Sequence, residues 1–409
     1  MYDFIVVGAG FFGAVFAYEA KKAGKKVLII EKRDHIGGNC YSYDYPETNI
    51  NVHQYGPHIF HTSSENIWKY INSFADFNNY QHRVLTTARG KVYSLPINLA
   101  TINKFYDLTL TPDEAGEFLK SKITASSSPK NLEEKAISLI GRELYETFIK
   151  GYTIKQWECD PRDLPAEIIT RLPVRTTDND IYYDDDYQGM PSGGYTPIFE
   201  KMLKDIPVEL KTDFLEKRDY WRSVAKTIVY TGPIDRYFNY RYGKLRWRSC
   251  RFEIEEMHLN DYQGVSIMNY ADREVPYTRI LEPKHFYREK ANLSRGTVVI
   301  REYPCDDPNE PYYPVRLKAD QEMLAKYQKA QSQERDVIFG GRLAEYKYYN
   351  MDQVISRALE QVEKLLKRAL NNEAEMRRRI AYNNLLSRRF FNNISIEYFS
   401  CRLVNYHTL

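Results

Sequence analysis

The sequence predicts an α/β fold built around a dinucleotide-binding unit, with a helical insertion and an antiparallel β-sheet added to it. Three observations carry this reading. The chain opens with strand, glycine turn, helix and strand in succession, the βαβ pattern. From 97 to 170 the apolar spacing becomes helical with few strand signals. Between 225 and 305 alternation returns, as in TIVYTGPIDRYF, LRWRSCRFEIEEMH and GVSIMNYAD, which predicts antiparallel strands.

In order, Asp3 to Val7 is a short β-branched run ending in GAGFFG, followed by an apolar-periodic stretch from Ala14 to Ala23. KKVLIIEK after Gly24 reads as a second buried strand. Gly8, Gly10 and Gly13 have the Rossmann-type GxGxxG spacing. The first glycine permits the tight turn, the second lets a pyrophosphate approach the backbone, and the third lets helix and strand pack closely. The helix N-terminus then favours the phosphate charge. Glu31 ends the second strand, where a carboxylate accepts hydrogen bonds from ribose hydroxyls and disfavours a 2′-phosphate.

Further along, EEKAISLIGRELYETFIKGYT predicts a long helix, with Asn131 and Glu134 placed to cap its start. The polar, Asp/Tyr-rich segment from about 172 to 195 reads as a mobile loop. VIFGGRL predicts a strand and a Gly-Gly turn before a last helix from about Asp352 to Leu370. No Gly/Ser-rich or Pro-rich linker is visible, so one discontinuous nucleotide domain with insertions is preferred over several independent domains. The division expected is 1–80, 195–240 and 320–370 for the Rossmann-like domain. The helical domain takes 97–175, the sheet domain takes 81–96 and 241–319, and 371–409 is an extension of unknown role.

Composition narrows the function classes. With 409 residues, 43% hydrophobic and 28% charged, the chain reads as globular, and a net charge of +3 gives no reason to expect nucleic acid. Five scattered cysteines without a CxxC pair argue against a disulfide framework or a metal centre. The apolar start lacks a basic n-region and no 18-residue apolar run follows, so a cytoplasmic protein without a membrane span is expected. The 35 tyrosines stand out, since flat rings with a hydroxyl suit a polar cleft that stacks on bases. No Ser-His-Asp, Cys-His or metal-spaced cluster is apparent.

EKRDHIGGN, with Gly37 and Gly38 just after Glu31, resembles the pattern of FAD-dependent amine oxidases, phytoene desaturases and sugar mutases. Eight further segments are similar, in the same order, to the bacterial UDP-galactopyranose mutases. They are YGPHIFHT, SLPINLATIN, KGYTIKQW, RLPVR, YQGMPSGGYT, PYTRILEPKHF, EYPCDDPNEPYYPV and FGGRLAEYKYYNMDQVI, covering about nine-tenths of the chain. The resemblance implies interconversion of UDP-galactopyranose and UDP-galactofuranose by covalent catalysis with N5 of reduced FAD, without net redox change. It also implies NADPH or NADH as reductant and a homodimer.

Site residues follow from the same resemblance. Arg171 and Arg279 match the two diphosphate arginines, and planar guanidinium forks suit phosphate oxygens. His58 is placed at the flavin's reactive edge. Phe148, Tyr152, Thr153 and Trp157 are implied around uridine and sugar, Tyr182, Tyr313 and Tyr348 around the phosphates, and Asn350 among the substrate-binding residues. On their own, each arginine reads as a surface residue and the Phe148/Tyr152 pair as core packing. Asn350 departs from the family's usual Asp, keeping hydrogen-bond capacity and losing the charge. Cofactor contacts are implied at Gly8, Ala9, Gly10, Phe12, Gly13, Glu31, Lys32, Gly38, Asn39, His58, Ile59, Gly341, Arg342 and Met351. Two other readings compete: a flavin amine oxidase or desaturase, which would consume oxygen, and a non-catalytic nucleotide-sugar-binding flavoprotein, which would bind UDP and turn nothing over.

Overall fold

The computed structural model describes residues 1–123, 128–169, 173–288, 296–307 and 309–367, with backbone alone at 170 and 171. Residues 1–358 form one compact unit and a second begins at 359, helical from 359 to 367 in its described part. The expected 371–409 extension lies outside the described residues.

The nucleotide sheet has five parallel strands in the order Val337–Phe339, Ala225–Tyr230, Tyr2–Val7, Val27–Ile30 and Val208–Glu209. Parallel strands covered on both faces need continuous apolar runs, and all four residues of Val27–Ile30 are buried. The same requirement corrects one expectation. TIVY belongs to this parallel sheet and not to an antiparallel one, because Ile228, Val229 and Tyr230 are all buried between two neighbours. Under one face lies an apolar cluster that includes Ile5, Leu28, Trp221, Tyr237, Phe339 and Tyr346.

A seven-stranded sheet runs Tyr313–Pro314, Trp247–Met257, Thr297–Cys305, Arg279–Leu281, Ile267–Tyr270, Val84–Ala88 and Lys91–Leu95. It is antiparallel as expected except where Ile267–Tyr270 pairs with Val84–Ala88 in parallel, so the sheet is mixed.

The helical stretch comprises Leu99–Tyr106, Pro112–Lys122, Leu132–Leu144, a π-helical turn at Tyr145–Lys150, and Gly151–Trp157. Asn131 caps as predicted, its Oδ1 accepting from the Glu134 N–H at 2.9 Å. The single long helix expected here is broken. Gly141 adopts φ +77°, and a Cβ there would stand 2.9 Å from the Lys122 carbonyl oxygen. The loop expected over 172–195 is irregular from 173 to 186, then forms the strand Tyr187–Gly189 against Phe60–Thr62.

Candidate active site

The three loop glycines are required for three different reasons. Gly8 has φ +105° and a Cβ there would meet Thr231 Oγ1 at 2.2 Å, where that hydroxyl donates to the Val7 carbonyl. A Cβ on Gly13 would meet the Gly8 carbonyl oxygen at 2.0 Å, so helix and strand touch through backbone. At Gly10 an added Cβ would meet only Gly38 Cα, at an ordinary contact of 3.8 Å, so this position tolerates a side chain as far as the protein itself is concerned. It caps the helix Phe11–Lys22, whose start has neither a side-chain cap nor an acidic residue in its first turn. Backbone N–H groups and the dipole there are left for an anion.

Gly8, Gly10, Phe12, Gly13, Glu31, Lys32, Gly38, Asn39, His58, Gly341, Arg342 and Met351 line one cleft. Ala9 and Ile59 are buried and form no part of that wall; the Ala9 N–H instead donates to Glu31 Oε2 at 2.8 Å. Arg33 N–H donates to the other Glu31 oxygen at 2.9 Å, so the carboxylate is held from both sides. Gly340 packs on Phe12 so closely that a Cβ would fall 2.0 Å from the ring. The buried Nε and Nη2 of Arg342 have no hydrogen-bond partner, an arrangement that suits an anionic or carbonyl-bearing group. A dinucleotide such as FAD fits this wall: a backbone cradle open at Gly10, an acceptor at Glu31, and bare donors at Arg342.

Beyond Arg342 lies a second cluster. The Arg342 guanidinium sits 4.5 Å from the Tyr348 ring centre and 5.2 Å from that of Tyr313, and those two rings stack at 5.4 Å. Arg279 Nη2 reaches the Tyr313 hydroxyl at 3.4 Å, and Trp157 lies 6.4 Å from the Tyr313 ring. Tyr152 feels the Arg279 charge, although burial dominates and raises its phenol. Burial likewise pushes Tyr182 up to about 12, against the pull of Arg279. The Tyr182 N–H donates to the His82 carbonyl at 2.8 Å. Thr153 is buried on the helix Gly151–Trp157.

Three implied positions remain to be placed. Phe148 is only 3% exposed and packs 4.9 Å from Tyr93 and 5.6 Å from Phe105. It belongs to the π-helical turn, where four-residue spacing no longer aligns it with Tyr152. Arg171 ends the 3₁₀ turn Ala166–Arg171, and its side chain lies outside the described residues. Asn350 sits just before the helix beginning at Met351, its N–H donating to Gln353 Oε1 at 3.0 Å.

Sequence reasoning missed several residues. Glu302, 0% exposed, accepts from Arg279 Nε at 2.8 Å and faces it across the ladder. Thr212, Asp213, Thr231 and Arg236 complete the cofactor cleft from positions far away in sequence. TGPID directly after a buried run was the available signal for Thr231. His61 was quoted in its motif but not its partner: Nδ1 lies 2.6 Å from Asp185 Oδ2, and the ring stacks at 3.7 Å on Tyr183. This pair, with Ser63 Oγ donating to Asp185, ties the Asp/Tyr-rich segment to the strand Phe60–Thr62.

His58 Nδ1 lies 2.8 Å from the Gly56 carbonyl and donates to it, leaving Nε2 as an acceptor. Burial lowers His58 to about 4, with Arg342 and Arg279 adding to the effect. Burial also lowers His53 and His82 to about 3 each. All three imidazoles are neutral in the folded chain, and each has an ordinary value of 6.5. Below 6.5 the unfolded chain takes up protons that the folded chain refuses, so their contribution is whole above that pH and is lost as pH falls toward 4. Their contribution should be level from about pH 8 to about pH 7, and the unfolding midpoint should drop increasingly below about pH 6. A midpoint unchanged down to about pH 5 would contradict this.

A family model described as UDP-galactopyranose mutase matches residues 147–348, and one for an NAD(P)-binding Rossmann-like domain matches 6–74. A protein of Klebsiella pneumoniae named probable UDP-galactopyranose mutase is 43% identical over 378 residues, covering 91% of this chain and 96% of that protein. The dTDP-fucopyranose mutase of Escherichia coli is 39% identical over 367 residues, covering 87% and 96%. The UDP-galactopyranose mutase of Mycoplasma pneumoniae is 31% identical over 387 residues, covering 89% and 96%. In fold, the chain is similar to a crystal structure of reduced UDP-galactopyranose mutase, with TM-score 0.71 and 13% identity over 90% of this chain and 94% of that one.

Proposed function

Since this chain belongs to the UDP-galactopyranose mutase family, we propose that it interconverts UDP-galactopyranose and UDP-galactofuranose at the junction of the cofactor cleft and the arginine–tyrosine cluster. The observation that carries the reading is Arg342, which lines the cleft and lies over both Tyr313 and Tyr348. One guanidinium thus joins the cofactor wall to the substrate wall. Bound FAD, when reduced, supplies the nucleophile, its N5, so that the sugar's anomeric bond exchanges without net redox change.

The chain's own residues do the rest. Arg279 offers the diphosphate a fixed cation, oriented by Glu302 behind it. Tyr313, Tyr348 and Tyr182 supply hydroxyl donors, and burial keeps the phenols of Tyr313 and Tyr182 protonated. Tyr152 offers a ring face to uracil, with Thr153 and Trp157 beside it. His58 Nε2 presents a neutral acceptor to the cleft and adds no competing charge there. Asn350 is the uncharged hydrogen-bonding member of the proposed substrate-binding residues. Arg171 is proposed as the second diphosphate cation.

No helix among the described residues is long and apolar enough to cross a membrane. Cytoplasmic residence, a homodimer, reduction by NADPH or NADH, and the three-part domain division are proposed with the mutase reading.

The test is to reduce the flavin-loaded protein with dithionite and follow ring interconversion by chromatography. Turnover of UDP-galactofuranose is expected only with reduced flavin, with UDP as a competitor and no reductant consumed per turnover. Oxygen consumption with an amine would favour the oxidase reading, and UDP binding without turnover the binding-protein reading. The E. coli relative makes a dTDP-linked 6-deoxyhexose the second substrate to offer.

A further inference from the structure

Two features bring the helix Gly151–Trp157 and the turn 271–278 unusually close. At Gly151 an added Cβ would stand 2.4 Å from the Ala271 carbonyl oxygen, so only glycine admits this approach. One turn further on, Lys155 Nζ donates to three carbonyls of the hairpin: Tyr270 at 2.7 Å, Val275 at 3.1 Å and Tyr277 at 3.0 Å. An ammonium has three protons to donate, and three backbone acceptors are offered. Tyr277 lies two residues before Arg279, and Arg279 pairs in register with Asn269 on the other arm of the same hairpin. Lys155 and Tyr152, three apart, share a helix face.

We infer that Lys155 is a positioning residue, which fixes the hairpin carrying Arg279 against the helix carrying Tyr152. This rests on the reading of Tyr152 and Arg279 as nucleotide ligands. Base and diphosphate of one nucleotide are then gripped by two elements whose spacing Lys155 and Gly151 set. Burial lowers the Lys155 ammonium to about 8, while Asp272 and Glu274 on the facing turn oppose that shift. As pH rises through this value the amine keeps two protons to donate, and one of the three carbonyls loses its partner.

The experiment uses the full-length, flavin-loaded protein and measures UDP affinity by calorimetry and KM and kcat by turnover. If the wild type fails to bind UDP, the substrate reading itself falls. Given wild-type binding, Lys155→Met should weaken UDP about tenfold to a hundredfold, chiefly in KM, with FAD content retained. Lys155→Arg, which keeps a charged donor, should recover most of that loss. Wild-type KM should climb between about pH 7 and about pH 9 while that of Lys155→Arg stays level, since Arg does not titrate there. A flavin-loaded Lys155→Met that binds UDP like the wild type overturns the inference. If that variant does not fold, a wild-type KM that stays level over the same pH range overturns it equally.

Discussion

Arg279→Ala is expected to lower kcat/KM for the UDP-sugar about a thousandfold. Two charge-assisted hydrogen bonds to a diphosphate contribute about 1.5–3 kcal/mol each, and together they correspond to roughly two to four orders of magnitude. The same change strands Glu302, which is 0% exposed and loses its cation. Leaving one partner of a buried pair behind costs about 3–5 kcal/mol of stability. The two effects separate in a double variant. Arg279→Ala with Glu302→Gln should recover much of the melting temperature, because a neutral amide needs no counter-charge, while activity stays lost. Steady-state turnover and thermal melts of both variants read this out, and an unchanged kcat/KM in Arg279→Ala would refute the diphosphate role.

Gly13→Ala and Gly10→Ala should fail in opposite ways. At Gly13 the new methyl meets the Gly8 carbonyl oxygen at 2.0 Å and Val6 Cγ1 at 3.1 Å. Both belong to the strand Tyr2–Val7 or the turn after it, and neither can swing aside. Helix and strand must separate, costing about 3 kcal/mol or more and taking the cofactor site with them. At Gly10 the backbone is ordinary, φ −78° and ψ −177°, and the methyl meets nothing within 3.4 Å. That variant should melt like the cofactor-free wild type and bind FAD about tenfold to a hundredfold more weakly, because the methyl occupies the space left for the pyrophosphate. Flavin absorbance after reconstitution, alongside melts of the flavin-free forms, distinguishes the two. A Gly10→Ala protein that loads FAD like the wild type would remove the glycine loop from pyrophosphate binding.

What could be read from the residues alone was whatever local geometry dictates. GAGFFG, Glu31 and VIFGG each declare their conformation within a few positions, and the strands, turn and helix appear there. Asn131 with Glu134 is local in the same way. The failures are where distant chain segments meet. Glu302 is one charged residue in REYPC until the ladder sets it opposite Arg279. TIVY alternates no differently from an antiparallel strand, and only its two parallel neighbours decide its place. The helix over EEKAISLIGRELYETFIKGYT looked continuous because its apolar period runs through Gly141; the break there is a φ of +77° beside the Lys122 carbonyl 19 positions earlier, where a Cβ would not fit. Thr212, Asp213 and Arg236 reach the cleft through crossovers that no spacing rule covers.

The order of the five-stranded sheet bears on how the chain acquires its structure. The strand Ala225–Tyr230 sits between Tyr2–Val7 and Val337–Phe339; Tyr2 pairs with Ala225 across more than half the sequence, and Ile228 pairs with Val337 across about a quarter of it. Closing loops of that length precedes any gain from pairing, which makes assembly slow and topology-limited. During synthesis the GxGxxG turn emerges well before Thr231, whose hydroxyl braces the Val7 carbonyl from 224 residues further on. Until then the nucleotide unit has an open edge, a natural binding surface for chaperones and a hazard for aggregation.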